Sequence, residues 1–407
     1  MNCRHCATPL SHTFLDLGFA PPSNAYLTSA ELVKPEKYFP LKVKVCDHCW
    51  LVQTEDYTQA NELFSPDYAY FSSTSSGWLT HAEHYAEQVS SELNLNSESL
   101  VIEVASNDGY LLKNFVAMGI PCLGIEPTDS TAMVAEAKGI PVLREFFGEL
   151  LGKQLAYEER QADLIVGNNV YAHVPDINDF TRGLKAVLKP SGTITIEFPH
   201  LMRLLEHCQF DTIYHEHYSY LSLSAVSRIF QSAGLRVWKV EELNTHGGSL
   251  RIFGCHDEEE RENHKSVAAI LQLELNRGLQ QLETYLDFQF RANKIKNDLL
   301  EFLIKQKRAG KKVAAYGAAA KGNTLLNYAG VKPDLLPFVC DAAPAKQGKF
   351  MPGSHIPIFS PDQLFIEKPD YVLILPWNIC EEVRRQNAVL EQDGVRFVTV
   401  VPEMKVL

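Results

Sequence analysis

The stretch Leu100-Val101-Ile102-Glu103-Val104-Ala105-Ser106-Asn107-Asp108-Gly109 decides the fold of the middle of the chain. Its first half is an apolar run of the kind found in buried parallel strands, and residues 106–109 form a turn of small, polar side chains. Apolar residues at helical spacing resume at Tyr110. A strand, a small-residue turn and a helix in this order point main-chain N–H groups at a ligand. The stretch therefore predicts an α/β domain of the nucleotide-binding type.

Three later apolar runs extend this sheet and end in polar residues, at residues 121–126, 162–169 and 192–199. In open α/β sheets, ligands bind at the carboxyl ends of the strands, and an acid that ends the second strand commonly holds ribose hydroxyls. The candidate residues along this edge are Glu103, Glu126, Asn168, His173 and Glu197. Apolar runs at 235–240 and 248–253 predict an antiparallel pair that closes the sheet, with His246 as a turn residue between them.

The turn after the first of these strands does not follow the dinucleotide pattern G-x-G-x-x-G. It reads Glu103-x-Ala105-x-Asn107-x-Gly109, a relaxed form that resembles the acidic-x-Gly-x-Gly-x-Gly motif of S-adenosylmethionine (SAM) methyltransferases. A carboxylate at the strand end can bind the methionine ammonium, whereas a pyrophosphate would require a neutral, glycine-rich turn. The resemblance implies SAM as the cofactor, and the residues placed to hold it are Glu103, Ala105, Ser106, Asn107, Gly109, Glu126 and Asn168.

The N-terminal residues contain two C-x-x-C knuckles, Cys3 to Cys6 and Cys46 to Cys49. Each knuckle places two thiolates on one tight turn, and together they supply the four sulfurs of a tetrahedral zinc site. Four thiolates leave no open position for water, so the zinc is expected to be structural. His5 and His48 lie inside the knuckles and could replace a sulfur. A redox dithiol or four unrelated cysteines are the alternatives.

The C-terminal part begins with a charged, leucine-rich stretch of helical periodicity at residues 258–311. A strand at 312–316 and a helix then flank Gly317-Ala318-Ala319-Ala320-Lys321-Gly322-Asn323-Thr324, which nearly spells a Walker A loop. Asn323 stands where that motif has lysine, so a phosphate-transferring NTPase is rejected. A helix N-terminus beside Lys321 still suits a diphosphate, although a small-residue turn needed for packing is the alternative. Later strand patterns predict a second, half-Rossmann unit.

The run Asp211-Thr212-Ile213-Tyr214-His215-Glu216-His217-Tyr218-Ser219-Tyr220 is the densest group of proton-handling side chains in the chain. Histidine exchanges protons near neutral pH, and glutamate or tyrosine can orient an imidazole or stabilise an oxyanion. The zinc-protease spacing H-E-x-x-H is absent, as is its inverted form, because residue 213 is isoleucine. A catalytic segment is favoured over a packed polar loop and over a metal site. The aromatic cluster at residues 68–76 is either a linker or a flap over a ligand.

Length and composition limit the classes of protein to which this chain can belong. A chain of 407 residues, 45% apolar and 22% charged, is typical of a globular protein with more than one core, and its patterns divide it into residues 1–85, 86–255 and 256–407. A net charge of −12 argues against nucleic acid as the main partner. No apolar run is long enough for a bilayer, and no signal-peptide core is present, which predicts a cytoplasmic location without disulfides. The oligomeric state is open, and a monomer is compatible with the sequence.

The knuckles, the Glu103 motif, Tyr214-His215-Glu216-His217 and the Gly317–Thr324 stretch occur in the order seen in the three-domain sugar C-methyltransferases, which the whole chain resembles. These enzymes act on nucleotide-linked deoxy-ketosugars. The resemblance implies a zinc-bound N-terminal module, a central Rossmann-like class I SAM methyltransferase domain, and a second Rossmann-like α/β domain at the C-terminus. The nucleotide diphosphate ketosugar would be held between the last two domains, at Lys321, Gly322 and Asn323.

By the same resemblance, His217 is the expected catalytic base, with Glu216 and Tyr214 beside it and with His173 and Tyr68 as further active-site residues. His217 would remove the proton beside the ketone while Glu216 orients it, and Tyr214, Tyr68 or His173 would donate to the enolate oxygen. Two other classes of function stay open: an O- or N-methyltransferase acting on a small molecule, and a non-catalytic zinc protein that binds nucleotide sugars. The nucleotide, the sugar carbon and the pathway are not readable from the residues.

Overall fold

The computed structural model describes residues 1–55, 71–74 and 76–407. Its strands, numbered along the chain, are β1 (His12–Ala20), β2 (Phe39–Val45), β3 (Val52–Thr54), β4 (Val101–Val104), β5 (Cys122–Ile125), β6 (Val142–Leu143), β7 (Ala162–Asn168), β8 (Leu188–Pro199), β9 (Ser219–Tyr220), β10 (Leu235–Leu243), β11 (Ser249–His256), β12 (Val313–Tyr316), β13 (Val339–Cys340), β14 (Ile358–Phe359), β15 (Tyr371–Ile374), β16 (Arg396–Thr399) and β17 (Lys405–Val406). Its α-helices are Ser76–Leu93, Leu112–Ala117, Asp129–Ala137, Glu149–Tyr157, Ile177–Val187, Leu201–Glu206, Leu223–Ser232, Lys265–Asn276, Glu283–Leu286, Phe288–Arg308, Ala320–Ala329, Asp362–Glu367, Cys380–Gln386 and Ala388–Gln392. Among these helices, none has the length and apolar character that crossing a membrane requires.

The first sheet combines the N-terminal residues with one strand that comes from much later in the chain. Its order is β1-β2-β3-β9, and every neighbouring pair is antiparallel. In β2, Leu41, Val43 and Val45 are buried while the residues between them are half-buried, as expected for a strand with one face on a core. Strand β9 joins the end of the histidine-rich run to this sheet by pairing with β3, and the sequence pattern did not predict this pairing.

The central sheet has the order β10-β11-β8-β7-β4-β5-β6. Strands β8, β7, β4, β5 and β6 are parallel, and β11 and β10 form the predicted antiparallel pair at one end. All four residues of β4 are buried, which is typical of a parallel strand with both faces covered. The predicted α/β class of this domain is confirmed, and the carboxyl ends of its parallel strands form one edge.

The predicted boundary at residue 85 falls inside the helix Ser76–Leu93. Tyr85, Ala86 and Val89 on this helix are buried in one hydrophobic cluster with Phe115 of the central domain. The helix therefore packs as part of the central unit, because its apolar face covers that sheet. The predicted boundary at residue 255 lies at the end of β11, whose last residue is His256.

The C-terminal sheet has the order β14-β13-β12-β15-β16-β17 and is parallel except for its last strand. It is the predicted second α/β unit. The predicted helical connection is present as three helices, Lys265–Asn276, Glu283–Leu286 and Phe288–Arg308. The longest of them shares one hydrophobic cluster with Phe14 of β1 and Leu373 of β15, so the first and third sheets pack on the same helix.

Candidate active site

The four predicted metal ligands come together in space. The Sγ atoms of Cys3, Cys6, Cys46 and Cys49 all lie within 4.8 Å of one another. The Cys3–Cys49 and Cys6–Cys46 sulfur pairs are each 3.5 Å apart, close to the roughly 3.8 Å that tetrahedral Zn–S bonds of about 2.3 Å require. Neither histidine of the knuckles belongs to this donor set among the described residues, and His5 instead faces Asn178, with Nδ1 2.9 Å from its Oδ1.

The electrostatics of the thiols also fit a cation. The hydrogen bond from Cys49 lowers the pKa of Cys3 to about 4, and the same contact, together with burial, raises the pKa of Cys49. Once one thiolate forms, its neighbours resist ionisation because like charges at this distance repel each other. A zinc ion removes that repulsion, and four thiolate ligands leave no position for a water, so its role is structural.

The turn after β4 is wound into an unusual main-chain conformation. Ala105, Asn107 and Gly109 have φ of 57°, 50° and 72°, in the left-handed region where glycine is favoured and other side chains are strained. These are the three positions that carry glycine in the motif that the turn resembles. At Gly109, an added Cβ would lie 2.4 Å from Cδ1 of Ile140, so this position needs glycine for space as well as for conformation.

Several polar groups are buried at the carboxyl ends of the strands. Within the part of the chain that the structure describes, Oγ of Ser106 and Oδ1 of Asn168 have no hydrogen-bond partner. The Glu103 carboxylate is also buried, and its hydrogen bond with Tyr110 opposes the effect of burial on its pKa. Burial, with the nearby Glu126 and Asp108 charges, raises the pKa of Glu103 well above its usual range. Buried polar groups are normally hydrogen-bonded, so an unpartnered set at one sheet edge fits a polar ligand such as the amino acid and nucleoside parts of SAM.

Glu126 differs from Glu103 because its carboxylate is already held by the main chain. The N–H groups of Asn107 and Thr128 donate to Oε2 and Oε1 of Glu126, each at 2.9 Å. Each oxygen keeps a second acceptor position, which leaves the predicted contact with ribose hydroxyls feasible. The turn is also held from outside, since the N–H of Ser72 donates to Oδ1 of Asn107 at 2.9 Å. Tyr68, the predicted flap residue, lies outside the described residues.

The predicted catalytic histidines lie side by side. The ring centroids of His217 and His173 are 4.6 Å apart, and that of Tyr214 is 4.1 Å from His217. Burial lowers the pKa of His173 to about 4. Burial and the neighbouring His173 lower the pKa of His217 well below its usual value. Both imidazoles are therefore neutral at pH 7, which is the state that a general base requires.

The tautomer of His217 follows from its one main-chain contact. Its Nδ1 lies 3.0 Å from the carbonyl oxygen of Thr212, which can only accept, so Nδ1 carries the proton and Nε2 has the lone pair. We predicted that Glu216 orients this ring. In the structure the Nδ1 partner is Thr212, and the carboxylate of Glu216 accepts from Nδ2 of Asn24 at 2.7 Å. The main chain performs the orienting task because the loop folds back on itself over five residues.

The C-terminal unit presents Lys321 to this region. Its Nζ donates to Oδ1 of Asn378 at 2.6 Å and lies 4.6 Å from the ring centroid of Trp377. Burial lowers the pKa of Lys321, and the charge of Asp211 opposes that effect. Asp211 is fully buried and accepts from Nε1 of Trp377 at 2.7 Å, and burial raises its pKa to about 6. A cation, an acid and an indole thus meet where the central and C-terminal units touch.

The other two predicted substrate residues are buried at the same junction. Asn323 donates through Nδ2 to the carbonyl of Ser23 at 2.6 Å, so its side chain joins the N-terminal loop to the C-terminal helix. A Cβ at Gly322 would lie 2.8 Å from Cδ1 of Leu375, so this glycine permits close packing. Both residues therefore take part in packing at this turn, and the first-turn N–H groups and Lys321 are the groups here that suit an anion.

Sequence reasoning missed a buried charged cluster at the end of β8. Oε2 of Glu197 lies 3.0 Å from Nε2 of His81 and accepts from Nη2 of Arg251 at 2.9 Å, and Oε1 accepts from Thr245 at 3.0 Å. Burial alone would raise the pKa of Glu197, but His81 and Arg251 lower it. Glu197, predicted as a ligand-edge residue, is thus an ion-pair partner, and no local motif marks residues that are 116 positions apart.

Comparisons with known proteins agree with this architecture. Three family profiles match: a zinc binding domain over residues 3–64, a methyltransferase domain over 79–240 and a C-methyltransferase C-terminal domain over 244–402. The chain is 33% identical to the C-methyltransferase NovU of Streptomyces niveus over 405 residues, which is 100% of this chain and 96% of that protein.

Solved structures with lower similarity match less than half of the chain. The complex of the Haloferax volcanii Trm112 methyltransferase activator with a methyltransferase matches 44% of this chain and 92% of that chain at 15% identity, with a TM-score of 0.37. Magnesium protoporphyrin IX methyltransferase from Synechocystis PCC 6803 with bound SAM matches 44% and 80% at 12% identity, with a TM-score of 0.35. On the full-length relative and the three profiles together, the chain belongs to the family of SAM-dependent C-methyltransferases with an N-terminal zinc module.

Proposed function

We propose that the protein methylates the carbon next to the ketone of a nucleotide-linked keto-deoxysugar, with dTDP as the expected nucleotide, in branched-chain deoxysugar biosynthesis. The observation that carries the proposal is the buried, neutral His217, whose Nδ1 is bonded to a main-chain carbonyl while Nε2 keeps its lone pair. Carbon methylation needs such a base, because a C–H bond becomes nucleophilic only after its proton is removed.

The ketone makes the neighbouring C–H acidic only if the resulting enolate is stabilised. In the proposed step, Nε2 of His217 accepts the proton and the electron pair of the broken C–H bond moves into the enolate. Tyr214, whose ring centroid is 4.1 Å from that of His217, is placed to donate its O–H to the enolate oxygen. When bound, SAM supplies an electrophilic methyl group at the edge formed by Glu103, Ser106 and Asn168.

The diphosphate of the substrate suits the start of the helix Ala320–Ala329. The first-turn N–H groups of a helix have no partners within the helix and carry a partial positive charge, and the ammonium of Lys321 adds a full one. Lys321 is half-buried and rests on the ring of Trp377, beside the buried Asp211. Contacts so far from the reacting carbon would supply binding energy that positions the sugar against His217.

The test is incubation of the zinc-loaded protein with SAM and a panel of nucleotide 4-keto-deoxysugars. We expect one of them to gain the mass of a single CH₂, at carbon. In the absence of SAM, the same sugar in D₂O should exchange the hydrogen beside its ketone. A product methylated on oxygen or nitrogen without such exchange would support the O- or N-methyltransferase alternative. Failure to bind SAM in calorimetry would favour a non-catalytic zinc protein.

A further inference from the structure

Arg4, which stands between the zinc ligands Cys3 and Cys6, reaches out of the metal site towards the two histidines. Nη1 of Arg4 donates to the carbonyl oxygen of Pro175 at 2.8 Å. Its guanidinium carbon lies 5.3 Å from the ring centroid of Tyr218, which is within cation–π distance. Pro175 is two residues after His173, and Tyr218 directly follows His217. The Arg4 side chain therefore contacts one residue close in sequence to each of the two histidines.

The main chain of Arg4 is fixed to the metal knuckle. Its N–H donates to Oε1 of Gln53 at 2.9 Å, and Nε2 of the same Gln53 donates to Sγ of Cys3 at 3.2 Å. Nδ2 of Asn178 donates to the carbonyls of Arg4 and His5 at 3.3 and 2.8 Å. Because these contacts tie the backbone on either side of the guanidinium, any movement of the knuckle must move the guanidinium with it.

Strand β3 holds the segment that carries His217, and the last residue of that strand, Thr54, is also bonded to Arg4. The N–H of Thr54 donates to the carbonyl of Tyr218 at 3.1 Å, and Oγ1 of Thr54 lies 3.3 Å from the carbonyl of His217. The N–H of Tyr218 donates to the carbonyl of Ala172 at 2.8 Å. Nη2 of Arg4 donates to the carbonyl of Thr54 at 3.1 Å and so joins this set.

We propose that Arg4 is a positioning residue that transmits the order of the zinc knuckle to the spacing of His173 and His217. The planar guanidinium satisfies two carbonyls in fixed directions and covers an aromatic face, which a flexible ammonium cannot reproduce. Its role in turnover rests on the proposed function, but its effect on the two imidazoles does not. On this proposal the zinc module supports the position of the histidines in addition to stabilising the N-terminal fold.

The test compares three variants of the full-length, zinc-loaded protein. Arg4→Met keeps an unbranched side chain but removes the charge and all side-chain donors. Arg4→Lys keeps the charge but loses the planar group that donates through two nitrogens. The matched control is Arg228→Met, because Arg228 is a half-exposed arginine that donates to a carbonyl of the other knuckle, that of His48, at 2.9 Å. Zinc content, SAM affinity by calorimetry, histidine ¹H–¹³C spectra and the rates of deuterium exchange and methylation are measured for each.

For Arg4→Met we expect bound zinc and SAM affinity as in the parent, shifted resonances for His173 and His217, and exchange and kcat lower by about 10- to 100-fold with KM little changed, as a misplaced base gives. Arg228→Met should match the parent in all four measurements. The proposal is overturned if Arg4→Met shows the parent's histidine spectrum and turnover.

Two further outcomes also decide the question. If Arg4→Met loses zinc, Arg4→Lys becomes the test variant. Full turnover and unshifted histidine resonances in Arg4→Lys would then contradict the positioning role of Arg4. If the parent protein neither exchanges nor methylates any ketosugar, the proposed function fails. In that case the histidine resonances alone support or reject the link between Arg4 and the imidazole pair.

Discussion

The imidazole of His217 shows how the surroundings of a single residue suit the proposed role of a base. The carbonyl of Thr212 accepts a hydrogen bond from its Nδ1, burial keeps the ring neutral, and the rings of Tyr214 and His173 lie against it. Each of these effects acts on the same property, which is the availability of the Nε2 lone pair at neutral pH. Burial also weakens the ring as a base, so the proposed reaction would depend on contacts that hold the acidic C–H close to it.

Replacing His217 by asparagine should lower turnover by about 10²–10⁴-fold, the contribution typical of a positioned base. SAM affinity should not change, because the cofactor edge is built from other strands. His207→Asn is the matched control, since His207 is an exposed histidine ten residues earlier in the chain. Turnover and calorimetric SAM binding are measured for both variants, and near-parent turnover of His217→Asn would reject the assignment.

His173 and His246 should each contribute a loss of stability as the pH is lowered from about 6.5, the ordinary pKa of histidine, towards 4. Burial lowers the pKa of both to about 4, so between these values their imidazoles bind protons in the unfolded chain and not in the native protein. Asp211 and Glu103, whose pKa values are raised, act in the opposite direction. Urea unfolding of the parent and of a histidine variant between pH 7 and pH 5 therefore isolates the histidine contribution.

The variant His246→Asn should lose part of the histidine contribution to the pH slope, because one of the imidazoles with a lowered pKa is gone. Asparagine tolerates the left-handed conformation of this position, where φ is 53°. The exposed His207→Asn should leave the slope of the parent unchanged. An equal slope in His246→Asn and the parent would show that this imidazole takes up protons as easily in the native state as in the unfolded chain.

At the scale of elements, the turn after β4 is the part whose main chain is most specialised. Three alternate residues are left-handed, and the turn is bonded to the acid at the end of β5 through the N–H of Asn107. This arrangement places the buried Glu103 carboxylate and the Ser106 hydroxyl at the sheet edge, where Oγ of Ser106 has no hydrogen-bond partner among the described residues. The element holds its shape through local conformation and two neighbouring strands.

Gly109→Ala should destabilise the protein by about 2–4 kcal/mol and weaken SAM binding, because the new methyl group would overlap Ile140 and φ is positive. Ala105→Gly is the matched control in the same turn. It should change stability by no more than about 1 kcal/mol, since the relief of strain is offset by the greater entropy of the unfolded chain. Urea unfolding and SAM calorimetry test both, and equal effects of the two substitutions would contradict this account.

At the scale of the whole molecule, the site is assembled from all three sheets. Strand β9 joins the histidine run to the zinc-bearing sheet, and Asn24 of the N-terminal part bonds Glu216. The C-terminal unit contributes Trp377, whose indole N–H donates to the buried Asp211. Because each unit supplies contacts that the others lack, we expect the binding site to form only when the three are docked.

Trp377→Phe should lower the free energy of unfolding by about 1–3 kcal/mol more than a matched substitution, because it removes the indole donor from the buried carboxylate of Asp211. The matched substitution is Trp238→Phe, since the indole nitrogen of Trp238 has no hydrogen-bond partner in the described protein. The KM for the nucleotide sugar should rise only in Trp377→Phe, because Lys321 rests on that ring. Equal stability of the two variants would show that the Asp211 contact contributes nothing.

Much of the architecture could be predicted from local patterns. Apolar runs predicted the strands β4, β5, β7 and β8, because parallel strands that are buried on both faces have continuous apolar sequences. Two C-x-x-C pairs indicated one metal site because thiolate ligands occur at short, fixed spacing. The predicted boundary near residue 85 lies within the helix Ser76–Leu93, whose buried face packs on a sheet that follows it in the chain, and a local pattern does not reveal such a contact.

The sequence by itself determined the α/β class and the four cysteines of the zinc site, and it predicted a cofactor turn and a candidate base, since each of these patterns lies in residues close together in the chain. Only the tertiary structure decided that the carbonyl of Thr212 contacts Nδ1 of His217, that Asn323 bonds Ser23, and that Arg4 bonds the carbonyl of Pro175. These contacts join carbonyls and side chains that are up to 300 residues apart. A carbonyl group is present at every residue, so no residue type marks which one will accept a hydrogen bond until the chain is folded.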